Sequence, residues 1–144
     1  MIRTAVTQLS VSHLLQEAFR SLDSDTGPAL QDRGIFDLTP SQARALLLLD
    51  RSGTRLTELA RRAGVTKQAM MQMVDDLQAM GCLRRTPDPG DARAKIVKLT
   101  AKGLRHRAQA RKAVQTVESK VRRRLGPRRY AALRAALEEL TAEE

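Results

Sequence analysis

Residues 56–81 read Leu56-Thr-Glu-Leu-Ala-Arg-Arg-Ala-Gly-Val-Thr66-Lys-Gln-Ala-Met-Met-Gln-Met-Val-Asp-Asp-Leu77-Gln-Ala-Met-Gly81, and the fold turns on them. Leu59, Ala60 and Ala63 share one face of a short helix that Thr57 can cap. Gly64 sits at its end, where a left-handed conformation is easiest. Thr66 caps a second helix from Lys67 to about Met80, with Met70, Met73, Val74 and Leu77 inward, and Gly81 stops it. Two short helices that cross steeply need small residues at the crossing, here Ala60 and Gly64. The layout is that of a helix-turn-helix. Helix–glycine–helix also occurs in ordinary bundles, so the neighbouring segments must decide.

Downstream, Cys82-Leu-Arg-Arg-Thr86 and Ala94-Lys-Ile-Val-Lys-Leu-Thr100 flank a turn rich in Pro, Gly and Asp, which predicts a hairpin. A helix-turn-helix followed by a hairpin is a winged helix. Upstream, Thr39 and Pro40 are an N-cap and a first helical residue. The run Ala45-Leu-Leu-Leu-Leu49 makes that helix central. Residues 4–22 show helical spacing at Val6, Leu9, His13 or Leu14, Ala18 and Leu22, with Leu15 and Phe19 beside them. The segment 23–28 then breaks the pattern with turn formers. Thr100 caps a helix over about 101–124 with the stripe Leu104, Ala108, Val114, Val117 and Val121. Gly126-Pro127 precedes a last helix with Tyr130, Leu133, Leu137 and Leu140 on one face. The predicted fold is mainly α with a small β-hairpin wing. A winged helix-turn-helix over 38–100 joins helical dimerisation parts over 1–22 and 101–144 in a single domain.

The chain of 144 residues has 26 Lys and Arg against 16 Asp and Glu, a net charge of +10. A polyanion is the expected partner. The excess is uneven: +4 over 55–100, where nine basic face five acidic residues, and +11 over 101–134, where twelve face one. A solvated arginine-rich helix face competes with nucleic acid as an account of the latter. Only three aromatics occur, Phe19, Phe36 and Tyr130, which disfavours a base-stacking surface for single strands or RNA. One cysteine cannot form an internal disulfide, so a reducing cytoplasm is the expected location. No apolar run approaches the roughly 18 residues a membrane span needs, and the start does not read as a signal peptide.

Leu56 to Thr66, Met73-Val-Asp-Asp-Leu77, Gly81, Asp88-Pro-Gly-Asp-Ala-Arg-Ala-Lys95 and Val97-Lys-Leu-Thr-Ala-Lys-Gly103 together resemble the MarR family of transcriptional regulators. Leu38-Thr-Pro-Ser-Gln42 resembles the family's entry to its second helix. The resemblance implies a homodimer built by the first and last two helices. It implies major grooves read by the helix-turn-helix and minor grooves reached by the wings. It further implies repression of transcription from a palindromic operator, relieved by a small aromatic or phenolic effector bound between winged helix and dimerisation helices. The residues add their own reason for a dimer: the outer helices carry apolar stripes that a winged helix alone cannot cover.

The expected contacts to double-stranded DNA follow from chemistry. Thr66 can donate to a phosphate. Lys67 suits guanine, Gln68 and Gln72 suit adenine, and Ala69 and Met71 can meet a thymine methyl. Arg93 is the wing's minor-groove probe, its guanidinium held by Asp91 or Asp88. Arg84 and Lys95 contact phosphates. The family often carries basic residues where this chain has Gln72 and Gly90 or Ala92, which weakens the positive charge there. Cys82 reads as a small buried hydrophobe and His106 as solvent-facing or near DNA. Arg122 to Arg124 are expected to pair with the acidic tail, Glu138 to Glu144. No metal-ligand cluster, cofactor motif or catalytic constellation stands out, so an enzyme is not expected. The alternative to a specific regulator is an architectural or non-specific DNA-binding protein.

Overall fold

The computed structural model describes residues 9–142. Helix α1, Val11–Gln31, starts at Ser10, whose side chain accepts from the His13 N–H. It runs straight through the expected break at 23–28. Pro28 lies inside the helix, and Thr26, Ala29 and Leu30 are buried on its inner face. Burial of that face outweighs the poor local propensity of Gly27 and Pro28, a tertiary override. Thr26 Oγ1 donates to the Leu22 carbonyl at 2.8 Å. The expected apolar position Val6 lies outside the described residues.

Helix α2, Pro40–Leu48, has the anticipated cap: the Gln42 N–H donates to Thr39 Oγ1 and the Thr39 N–H to Gln42 Oε1. A short strand β1, Thr54–Arg55, follows, which the sequence reading did not foresee. It leads without a gap into α3, Leu56–Ala63. Thr57 therefore does not cap α3: the N-cap is Arg55, with no side-chain bond, because pairing with the wing extends the backbone up to that residue. Gly64 takes φ 65°, the left-handed cap expected of it. Helix α4, Lys67–Ala79, is capped by Thr66, whose Oγ1 accepts from Ala69 N–H at 3.1 Å.

Strands β2, Leu83–Asp88, and β3, Asp91–Leu99, form the hairpin, and the sheet order is β1-β3-β2. Pro87 pairs with Lys95 on edge strand β2, where a missing N–H is tolerated. The core gathers Leu30, Leu46, Leu59, Met70, Val74, Leu77, Leu83 and Val97. Cys82 is fully buried beside them, and burial pushes its thiol pKa up, as suits a small hydrophobe.

Helix α5, Ala101–Leu125, packs on α1 and α2. Its inner face is Gly103, Ala110, Ala113 and Val117; of the expected stripe Val117 is buried and Val114 and Val121 are half-buried, but Leu104 and Ala108 are exposed. Close helix packing selects small residues, so the largest apolar side chains misled the pattern. At its start α5 also lies against the segment after α4: a Cβ at Gly103 would stand 2.0 Å from the Cys82 carbonyl oxygen. Thr100 Oγ1 donates to the Gly81 carbonyl at 2.5 Å and accepts from Gly103 N–H at 3.0 Å. Lys102 Nζ donates to the Met80 carbonyl at 2.7 Å. These carbonyls at the end of α4 would otherwise lack partners.

Helix α6, Pro127–Thr141, buries no residue. Leu22, Val121, Tyr130, Leu133 and Leu137 line a hollow of about 340 Å³ beside it. Glu138 pairs with Arg134 one turn away, not with Arg122 to Arg124, because the (i, i+4) partner is within reach on the same face; Glu143 and Glu144 of the expected tail lie outside the described residues. No described helix is long and apolar enough to cross a membrane.

Candidate nucleic-acid interface

The exposed face of α4 presents Lys67, Gln68, Ala69, Met71 and Gln72, all open to solvent, while Met70, Val74 and Leu77 anchor the helix inward. Thr66 is also exposed, and its hydroxyl hydrogen stays free because the oxygen is the capping acceptor. Gln72 is partly engaged: its Nε2 donates to Asp76 Oδ1 at 3.0 Å.

Between α4 and the wing lies a groove of about 470 Å³. Lys67 and Met71 line it from the helix, and Arg85, Arg93, Lys95 and Asp91 from the wing. Arg55, Leu56 and Thr57 close one end. Of the expected contact residues, the structure brings Lys67, Met71, Arg93 and Lys95 to one groove. Thr66, Gln68, Ala69 and Gln72 stand on the helix beside it. Arg84 is separated: it pairs directly opposite Lys98 and so projects from the other hairpin face than Arg85.

Arg85 and Arg55 are the residues that the sequence reading missed. Arg85 Nη1 donates to Gln78 Oε1 and its Nη2 to Asp75 Oδ1, each at 2.6 Å, so it ties the wing to α4. A signal for Arg85 existed: buried Leu83 and Arg85 share a face by strand alternation. Arg55 Nε donates to Asp88 Oδ2 at 2.6 Å, and the Gly90 N–H donates to Asp88 Oδ1 at 2.9 Å. Those two contacts, the Gly90 N–H first, hold the Asp88 carboxyl below its ordinary pKa. Asp88 therefore holds Arg55 rather than Arg93. Asp91 reaches Arg93 only at the backbone, accepting from its N–H at 3.0 Å, because the tight Pro89-Gly90 turn puts the carboxylate over that amide. The Arg93 guanidinium has no acidic partner among the described residues.

The helix-turn-helix is braced behind this face. Arg62 donates to both Asp50 oxygens, to Glu58 and to the Leu48 carbonyl. Arg61 and Arg62 bring the Glu58 pKa down to about 2. His106 is not solvent-facing: its side chain is 16% exposed and Nε2 lies 3.5 Å from Asp37 Oδ1, because it stands where α5 meets the loop before α2. A separate cavity of about 630 Å³ opens between α1 and the winged helix, lined by Phe19, Arg44, Leu47, Leu48, Val65 and Met73 among others. Arg44 stacks on Phe19, 4.7 Å from the ring centre, and pairs with Asp23.

The sequence model of the MarR family matches residues 36–94. No curated protein matches the sequence. The chain is similar to the transcriptional repressor CouR bound to a 23-mer DNA duplex: 30% identity, TM-score 0.83, covering 99% of each chain. CouR bound to p-coumaroyl-CoA also matches at 30% identity and TM-score 0.79, over 94% of each chain. A mutant MarR from E. coli complexed with operator DNA shares the fold at 24% identity and TM-score 0.80, over 92% of this chain and 94% of that one.

Proposed function

The chain belongs to the MarR family of DNA-binding transcriptional regulators, and we propose that it represses transcription as a homodimer on a palindromic operator until a small ligand releases it. The groove between α4 and the wing carries this reading: Lys67, Arg85, Arg93 and Lys95 line it against one carboxylate, Asp91. Lys67 and the exposed Gln68 and Gln72 meet base edges in the major groove, and Ala69 and Met71 meet thymine methyls. Thr66 and Lys95 hold phosphates. Arg93, free of an acidic partner, enters the minor groove, where narrow A·T-rich segments concentrate negative potential.

The second copy covers the outer helices. Leu133, Leu137 and Leu140 of α6 and Leu15, Phe19 and Leu22 of α1 are exposed apolar residues that a solvated monomer would leave wet. Two-fold symmetry then sets half-sites roughly 34–36 Å apart. The ligand occupies the cavity at Phe19 and Arg44. An aromatic body meets Leu47, Leu48 and Met73, and its anionic group competes with Asp23 for Arg44. Since Asp23 lies on α1 and Arg44 on α2, the exchange loosens the winged helix from the dimerisation helix. A ligand works only through such a difference in affinity between two states.

Selection of bound duplexes from a random pool tests the reading. A regulator enriches a palindrome and prefers it about 10³–10⁷-fold over random DNA. Equal affinity for all duplexes makes it an architectural binder. Light scattering showing a monomer at micromolar concentration removes the dimer.

A further inference from the structure

Arg84 is an exposed cation that the groove leaves unused. Across the hairpin it faces Lys98. The turn before β1 lies on that same hairpin face: a Cβ at Gly53 would stand 2.8 Å from the Lys98 Cγ. Arg51 belongs to this turn and is exposed. On the turn's far side, Arg107 Nη1 donates to the Leu49 carbonyl at 3.0 Å, and Arg111 stands one helical turn further along α5. Five cations thus follow one another from β2 to α5.

None of the five has a carboxylate partner among the described residues, whereas Arg55, Arg62 and Arg85 are each matched to an acid. Asp50, the chain neighbour of Arg51, turns both oxygens to Arg62. Crowding like charges without a counter-charge is unfavourable, and more so for a half-buried group. Burial, then Arg111 and Arg51, push the Arg107 pKa down, the direction expected where positive charge is crowded. An anion on this strip would relieve the repulsion.

We propose that Arg84, Lys98, Arg51, Arg107 and Arg111 form a phosphate-binding strip, separate from the reading groove, that holds the backbone of duplex DNA flanking the operator half-site. The inference rests on the proposed DNA-binding role. Duplex backbone fits better than a small phosphate because the charges run in succession over three elements and begin on the wing itself. A hairpin inserted in a minor groove has a phosphate strand on either side, so its second face meets one too.

The test uses the duplex that the protein selects, at minimal length and with about ten base pairs, one helical turn, added at each end. The full-length chain should bind the longer duplex more tightly and with steeper salt dependence. The double variant Arg51→Gln with Arg111→Gln changes only exposed residues. It should bind the minimal duplex as the parent does but lose the gain from length. Its slope of log affinity against log salt on the longer duplex should fall by about 0.9 per lost phosphate contact, about 2 per chain. A variant that keeps the gain overturns the strip while leaving the DNA-reading role intact. Millimolar pyrophosphate that raises the melting temperature of the parent but not the variant, with the length gain unchanged, makes the strip a free-phosphate site and overturns the DNA assignment. A pool without any enriched duplex removes the regulator reading and the strip with it.

Discussion

Arg55 and Asp88 are 33 residues apart and joined by a 2.6 Å hydrogen bond, so the residue that starts α3 also pins the tip of the wing. Asp88 is itself almost fully buried, with 8% of its side chain exposed, and its other oxygen holds the turn at Gly90. Arg55→Ala should leave the fold in place and free the tip. Amide exchange over residues 90–93 should speed up, and operator binding should weaken about tenfold, or 1.4 kcal/mol. Arg55→Lys keeps the charge but not the fork and should recover only part of that loss. Unchanged exchange at the tip would remove the pinning role.

Acid should weaken the helix-turn-helix in a defined window. The native Glu58 pKa is about 2 against an ordinary 4.5. A depressed native value stabilises the fold above the unfolded pKa and loses that contribution as pH falls through the native one. Stability should therefore decline from about pH 4.5 toward 2. Denaturant titrations of Glu58→Gln should show a shallower decline over that window than the parent.

Gly103→Ala should destabilise, although alanine is the better helix former. The added methyl would meet the Cys82 carbonyl at 2.0 Å, and overpacking of this kind costs about 1–3 kcal/mol. Thermal melting of the variant checks the sign.

Gln72→Ala should relax preference at one major-groove position by about 1–3 kcal/mol. Asp76 holds the Gln72 amide, so Asp76→Ala should alter preference at the same position. Competition between duplexes differing at single base pairs reads both effects. Effects at different positions would separate the two residues.

Arg44→Ala should abolish the response to aromatic acids without weakening operator binding. A thermal-shift screen followed by operator titration measures this. A ligand effect that survives the change places the effector elsewhere.

Three of the four expected caps, the glycine turn at Gly64 and the wing were readable because each is local, whereas the Thr57 cap failed because pairing with β3 carries the strand up to Arg55. Thr39, Thr66 and Thr100 cap the helices that they were expected to cap, and Gly64 turns as required. What depended on tertiary contact was not readable. Helix α1 passes Pro28 because Ala29 and Leu30 are buried beneath it. The inner face of α5 is chosen by closeness to its neighbours, the Cys82 carbonyl at Gly103 and α1 and α2 further along, which favours small residues over Leu104. At the candidate interface, the exposed side of α4 followed from helical period, and Lys67, Arg93 and Lys95, picked out by charge, line one groove. Strand alternation gave the face of Arg85, but the pairings of Arg85 and Arg55 were hidden because their partners, Asp75, Gln78 and Asp88, lie on other elements. The two faces of the hairpin, which separate Arg84 from Lys95, follow only from the register.

The junction of α4 and α5 is a weld. Two carbonyls at the end of α4 are bonded to Thr100 and Lys102, and Gly103 lies against Cys82 with no room between. The 25 residues of α5 then act as a rigid lever of roughly 37 Å. A tilt of about 5° at its far end, where a second copy would dock in the proposed dimer, would swing α4 by ~3 Å at that length. In the proposed dimer the distance between the two reading heads would therefore be geared to small rotations at the dimer contact.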